Sequence, residues 1–225
     1  MTKLIQPNAH VDRDLLEKFV AMREVLSISC VMTDAQAREN VMHPEIKFRS
    51  VNKPFIGHAL TVKLTPGDIV DCLDVFDVAE PGQVVVIDAF GESNTSIWGG
   101  LMSGLARAAG IVGAVVDGSV RDTDEAKLLA FPLASRHVSP RAAHTAYSGR
   151  REPIRVNVPV VCGGIIVHPG DLVVADEVGV TVVPQQDWAE VYPRAKEQAE
   201  KEEATRKAIL DGATVEELLQ RFGRI

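Results

Sequence analysis

Residues 83–122 read QVVVIDAFGESNTSIWGGLMSGLARAAGIVGAVVDGSVRD, and this stretch decides the fold. Two β-branched apolar runs, Gln83 to Phe90 and Ile111 to Val116, flank a segment from Gly99 to Ala109. In that segment Leu101, Met102, Leu105, Ala108 and Ala109 recur at helical spacing, and Gly110 follows as a helix stop. Apolar runs without alternation are strands buried on both faces. Gly91 to Ser96 reads as a polar loop, Asp122 to Leu129 as the start of a second helix, and Leu133 to His137 as a further strand. Strand, helix, strand, helix in this order predicts parallel strands joined by right-handed crossovers, hence an α/β fold.

Parallel strands bring their carboxyl ends to one edge of a sheet, where open α/β sheets bind ligands. The first strand leads to Gly99-Gly100 and the second to Asp117-Gly118 and Arg121-Asp122, so these pieces are expected to converge. A helix start leaves amides unpaired and carries partial positive charge, and glycines let a carboxylate or phosphate approach it. Arg121 supplies planar donors that suit a ketone oxygen and the enolate charge that develops there. Asp122 is a hard oxygen ligand of the kind Mg²⁺ or Mn²⁺ takes. Taken singly, Gly-Gly is a tight turn, Arg-Asp a cap with a surface charge, and Asp117-Gly118 a turn. Their convergence is what points to a small 2-oxo acid.

Outward from this stretch, residues 1–10 read as a loose arm and 12–23 as an amphipathic helix. Val25 to Met32 is a short apolar stretch, after which Thr33 or Asp34 is expected to cap a helix through residues 34–40. Gly57 to Leu64 alternates as a strand, and Pro66-Gly67-Asp68 predicts a turn into a helix near 69–79. The second half is mostly short strands: 155–161, 164–167, 172–175 and 180–184. Asp171 and Asp176 fall in turns between them, and His168 precedes the first. His137 and His144 flank an irregular polar stretch at 138–152, a surface loop or lid. A long charged helix is expected from about 186 to 210 with a kink near Pro193, then a short helix opened by the capping box Thr214–Glu217. No linker divides the chain, so a single domain over 1–225 with a C-terminal helical extension is expected.

The 225 residues are 46% hydrophobic and 24% charged, with net charge −7 and no block of Lys or Arg. That balance disfavours nucleic acid or an anionic membrane as partner. No segment has the apolar length of a membrane helix, and the N-terminus lacks the apolar run of a signal peptide. Cys30, Cys72 and Cys162 are widely spaced, odd in number and without a CxxC, which reads as reduced core thiols in a cytoplasmic protein.

Three segments together, GHALTVKLTPGD with EPGQVVVIDAFG, then WGGLMSGLARAAGIVGAVVDGSVRD, then VPVVCGGIIVHPGDLVVADEVGVTVVP, resemble the RraA-like family over roughly residues 25–210. That family includes divalent-metal-dependent 4-hydroxy-4-methyl-2-oxoglutarate/4-carboxy-4-hydroxy-2-oxoadipate aldolases. The resemblance implies a swivelling β/β/α fold, an αββα sandwich with a partly parallel central sheet and a long C-terminal helix. It implies a class II pyruvate aldolase with an oxaloacetate decarboxylase side activity, and trimers or hexamers with sites between subunits. Backbone amides at Gly100, Leu101, Met102 and Ser103 would bind the substrate carboxylate. Arg121 would hold the ketone oxygen, and Asp122 would anchor Mg²⁺ or Mn²⁺. Asp124 and Glu125 would complete the acidic end of the site, and Asp117 is a further candidate site residue. The sequence departs from the aldolases at Gly100, where many carry an acidic residue, so an acid from elsewhere is expected. Glu202 or Glu203 of a neighbouring subunit is one source. The other readings are a non-catalytic regulator that binds a ribonuclease, and an enzyme on another 2-oxo or hydroxy acid.

Overall fold

The computed structural model describes residues 4–66, 72–143 and 154–223. The strands are β1 (Leu4–Ile5), β2 (Lys47–Phe48), β3 (Phe55–Lys63), β4 (Gln83–Trp98), β5 (Gly113–Val120), β6 (Leu133–Val138), β7 (Arg155–Val156), β8 (Val160–Cys162), β9 (Ile165–Val167), β10 (Leu172–Ala175) and β11 (Val180–Val183). The helices are α1 (Arg13–Val20), α2 (Ile28–Ala35), α3 (Gly100–Ala108), α4 (Thr123–Leu128), α5 (Trp188–Leu210) and α6 (Val215–Phe222), with a 3₁₀ turn at Leu73–Asp77.

One mixed sheet carries the molecule in the order β1-β7-β3-β4-β5-β6-β2. Its centre, β3-β4-β5-β6, is parallel throughout. The outer edge of β3 is shared: β10 pairs antiparallel with its first half and β7 with its last two residues. The expected α/β class and the long C-terminal helix are both present. α5 is unbroken through Pro193.

Alternation along the central strands splits the core between two faces. Leu60, Val62, Val85, Ile87, Ala114 and Val116 pack under α3 and α4. Ala59, Val84, Val86, Val115 and Ala134 face the β8–β9 hairpin. A third cluster joins α1, α2 and α5 to β10 and β11, centred on Phe19, whose ring meets Trp188 edge-on at 5.9 Å.

Several local expectations are corrected. The helix expected at 34–40, after the apolar stretch 25–32, is not there. The helix is α2 itself, and the chain after it turns with positive φ at Ala37, Arg38 and Asn40. The buried Asp176 draws α2 in, accepting from the Ser29 amide at 2.8 Å and its hydroxyl at 2.7 Å. Residues 4–10 are tied down rather than loose. β1 pairs with β7, and Asn8 Nδ2 donates to the Val78 carbonyl at 2.7 Å and to Glu80. The polar segment 91–96 stays in β4, which continues to Trp98 past register shifts against β5. The predicted turn at 66–68 and helix near 69–79 fall partly outside the described residues, and the part seen is the 3₁₀ turn. His144 and the second part of the expected lid also lie outside them.

Candidate active site

Strands β4 and β5 end side by side, with the Arg121 amide donating to the Trp98 carbonyl at 2.9 Å. This brings Gly99-Gly100 and Arg121-Asp122 together although they lie more than a helix apart in sequence. A cavity of about 280 Å³ opens there, lined by Trp98, Gly99, Leu101, Met102, Arg121 and Asp122 among others. Arg121 and Asp122 are each 39% exposed on it, with Arg121 Nε 3.3 Å from Asp122 Oδ2.

Gly99 is the N-cap of α3, extended and without a side chain to bond the helix start. Asp122 Oδ2 does this instead, accepting from the Gly100 amide at 3.2 Å. Asp122 adopts a left-handed conformation, φ 50° and ψ 42°, and makes no cap to its own helix α4. Asp tolerates that region better than most residues, and the strain is typical of a functional position. The amide of Ser103 closes the first turn by donating to Gly99 O at 3.0 Å, so it is not open to a ligand. The Ser103 hydroxyl accepts from Trp98 Nε1 at 2.9 Å. By helix geometry, the open amides of this turn are those of Leu101 and Met102.

Glu125, in the first turn of α4, reaches across to Gly100. A β-carbon on Gly100 would lie 1.9 Å from Glu125 Oε2 and 2.9 Å from its Cβ. The space a side chain at position 100 would use is therefore filled by the Glu125 carboxylate. A β-carbon on Gly99 would meet Asp122 Oδ2 at 2.7 Å. The two glycines thus let two carboxylates and Arg121 close on the start of α3, and Asp124 points outward as an exposed residue.

Other expected residues sit elsewhere. Asp117 faces the opposite side of the sheet, where it accepts from Arg136 Nε at 2.5 Å and from the Gly163 amide at 2.7 Å. Its parity with Val115 along β5 puts it on that face, away from Arg121. There it fastens the β8–β9 hairpin, beside Asp88, whose carboxyl burial pushes up, and the fully buried Cys162 thiol, raised for the same reason. Glu202 and Glu203 lie on α5 and both pair with Arg206, at 3.0 and 2.6 Å. Within this chain they join the α2–α5 side and not the cavity. His168 is an exposed turn residue beside Asp171. Trp98 is the wall residue that sequence reasoning passed over. Its position directly before Gly99 was the available signal.

Asp122 is a hard oxygen donor lining the cavity, and the Glu125 carboxylate lies close by against Gly100. Among the described residues, no three His, Cys, Asp or Glu side chains gather into a metal site. This donor set fits an ion that keeps most of its waters and takes one or two carboxylates, as Mg²⁺ and Mn²⁺ do, and does not fit a closed zinc cage.

The family model for RraA-like proteins, described as Aldolase/RraA, matches residues 15–182. The chain belongs to the RraA-like family. This RraA-like chain is 35% identical over 193 residues to a Halalkalibacterium halodurans protein named "Putative 4-hydroxy-4-methyl-2-oxoglutarate aldolase", covering 86% of this chain and 89% of that one. It is 36% identical over 104 residues to a Thermus thermophilus 4-hydroxy-4-methyl-2-oxoglutarate aldolase, covering 46% and 60%. Among solved structures it resembles Streptomyces coelicolor RraAS2, described as an unusual member of the RNase ES inhibitor RraA protein family. That match has a TM-score of 0.72 at 25% identity over 88% of this chain and 99% of the other. An uncharacterized Pseudomonas syringae protein matches with a TM-score of 0.77 at 29% identity, over 95% and 98%.

Proposed function

We propose that this RraA-like chain is a divalent-metal-dependent carbon–carbon lyase that releases pyruvate from a 4-hydroxy-2-oxo acid of the 4-hydroxy-4-methyl-2-oxoglutarate type. The observation that carries the reading is the single cavity shared by Arg121, Asp122 and the open first turn of α3. The relatives named as aldolases support it.

The amides of Leu101 and Met102 receive the substrate carboxylate at the positive end of α3. The Arg121 guanidinium donates to the 2-oxo oxygen. The C3–C4 bond breaks, its electron pair moves toward C2, and negative charge gathers on the oxygen Arg121 already faces. The C4 hydroxyl gives its proton to solvent water as C4 becomes a carbonyl, and C3 later takes a proton from solvent to give pyruvate. Asp122, with Glu125 beside it, would hold Mg²⁺ or Mn²⁺, and the ion when bound supplies Lewis-acid polarisation of the substrate oxygens. Oxaloacetate losing carbon dioxide reaches the same enolate, so its decarboxylation is the expected side activity. Neither Glu202 nor Glu203 approaches the cavity of its own chain, so any part they play requires a neighbouring subunit of a trimer or hexamer.

The second reading, a regulator that binds a ribonuclease, is favoured by the likeness to RraAS2. A regulator has no need of an arginine and a strained aspartate inside a cavity, which is why the enzyme reading stands first. The test is pyruvate release from 4-hydroxy-4-methyl-2-oxoglutarate and from oxaloacetate, with Mg²⁺ and with EDTA. Turnover that requires Mg²⁺ and disappears in Arg121→Ala, with an unchanged melting curve, is expected. Absence of metal-dependent turnover on both substrates sinks the reading.

A further inference from the structure

A second cavity, of about 310 Å³, opens at the other end of the sheet. It lies where β3, β5 and β6 begin, beside the C-terminal ends of α3 and α4. Phe55 and Phe131, each 2% exposed, form its floor with Ile111 and Val112. Arg23, Lys53 and Arg107 also line it, and none of the described residues lining it is acidic. The whole chain carries a net charge of −7.

Packing alone does not account for this distribution. A cation in the last turn of a helix answers the helix dipole, which explains Arg107 on α3. It does not explain Lys53, ahead of β3, or Arg23, beyond α1. Three like charges around an apolar hollow repel one another unless an anion joins them. Arg23 shares its charge with Glu24 at 3.0 Å, so Lys53 and Arg107 provide most of the positive field. The Arg107 fork is held in place by its Nη1, which donates to the Leu129 carbonyl at 2.8 Å.

We propose that this cavity binds a small organic anion with an apolar body, of the aryl or branched-alkyl carboxylate class. The body covers Phe55, Ile111 and Phe131, and the carboxylate meets Lys53 and Arg107. An apolar hollow with a few convergent polar groups and this volume is the usual form of a small-molecule site. It is separate from the proposed reaction, yet the two cavities share parts. Phe131 stacks on Trp98 with ring centroids 6.1 Å apart and planes 10° from parallel. The N-terminal ends of α3 and α4 flank the first cavity and their C-terminal ends the second.

The test is calorimetric titration of the full chain with phenylacetate and with phenylacetamide. Phenylacetate is expected to bind saturably, and the neutral amide at least about tenfold more weakly. Lys53→Gln with Arg107→Gln is expected to weaken phenylacetate by about tenfold, and Lys53→Gln alone by about threefold. Arg121→Ala is expected to bind it as the wild type does. Lys53 is exposed and outside every helix and strand, so its single variant decides the matter if the double variant is poorly folded. No saturable binding, equal binding of acid and amide, or binding lost in Arg121→Ala but kept in Lys53→Gln would each overturn the proposal.

Discussion

The contact between Gly100 and Glu125 allows a quantitative test of how the candidate site is assembled. In an open helix, Gly→Ala gains up to about 1 kcal/mol from backbone entropy. Here the new methyl would stand 1.9 Å from a carboxylate oxygen and 2.9 Å from the Glu125 β-carbon. The oxygen is the far end of a flexible chain and can swing away, but the β-carbon is fixed to α4. Overpacking of this kind costs about 1–3 kcal/mol. Gly100→Ala is therefore expected to destabilise by about 1–2 kcal/mol net. In a Glu125→Gly background both contacts are removed, and the same change is expected to cost about 1–3 kcal/mol less than in the wild type. The coupling between the two positions is expected to be about 1–3 kcal/mol, measured as a double-mutant cycle from urea denaturation. Gly100→Ala as stable as the wild type, with coupling inside about 0.5 kcal/mol, would show that Glu125 yields freely and does not define the space beside Gly100.

Other outcomes follow from the same geometry. Asp122→Asn keeps an acceptor for the Gly100 amide and tolerates the left-handed backbone, so stability should hold within about 1 kcal/mol while pyruvate release collapses; Asp122→Ala should lose about 1–3 kcal/mol besides, by thermal melting. Asp117→Asn should leave turnover within about twofold, because its carboxylate faces away from the cavity, yet lower stability by about 1–3 kcal/mol through the Arg136 pair. His58 is 2% exposed and burial holds its pKa down at about 4, below the usual 6.5. The neutral ring is thus favoured in the folded state. Its contribution is complete above pH 6.5 and is lost as pH falls towards about 4. Between pH 7 and pH 5 this amounts to about 2 kcal/mol, and the loss measured by denaturation should shrink by that amount in His58→Leu.

The parallel centre was legible because Val84–Ile87 and Val112–Val116 admit hardly any other reading, and strand direction then fixed where Arg121 and Gly99 would meet. Position along the strand was equally informative for Asp117, since counting by twos from Val115 already turns it to the far face. α2 was not legible. Its Ile28, Val31 and Met32 look like strand residues, and what makes them helical is packing against α5 and the capture of Ser29 by Asp176, 147 residues away. The extension of β4 through GESNTS was hidden for a similar reason. Those residues favour turns, and only the neighbouring β5 holds them extended. The Glu125 contact needed coordinates, because spacing alone cannot tell a side chain that reaches α3 from one that faces water.

The irregular half of β4 has a consequence for motion. Residues 84–88 lie between two parallel neighbours in unbroken register, and their amides should exchange with solvent only when the whole molecule unfolds. Beyond Asp88 the ladder slips three times before Trp98, with Phe90 and Gly91 at positive φ. Those amides should exchange by local opening, many times faster. One strand would then join a rigid floor to a compliant rim, and the Trp98–Gly99 corner could adjust to a ligand without disturbing the sheet that holds it.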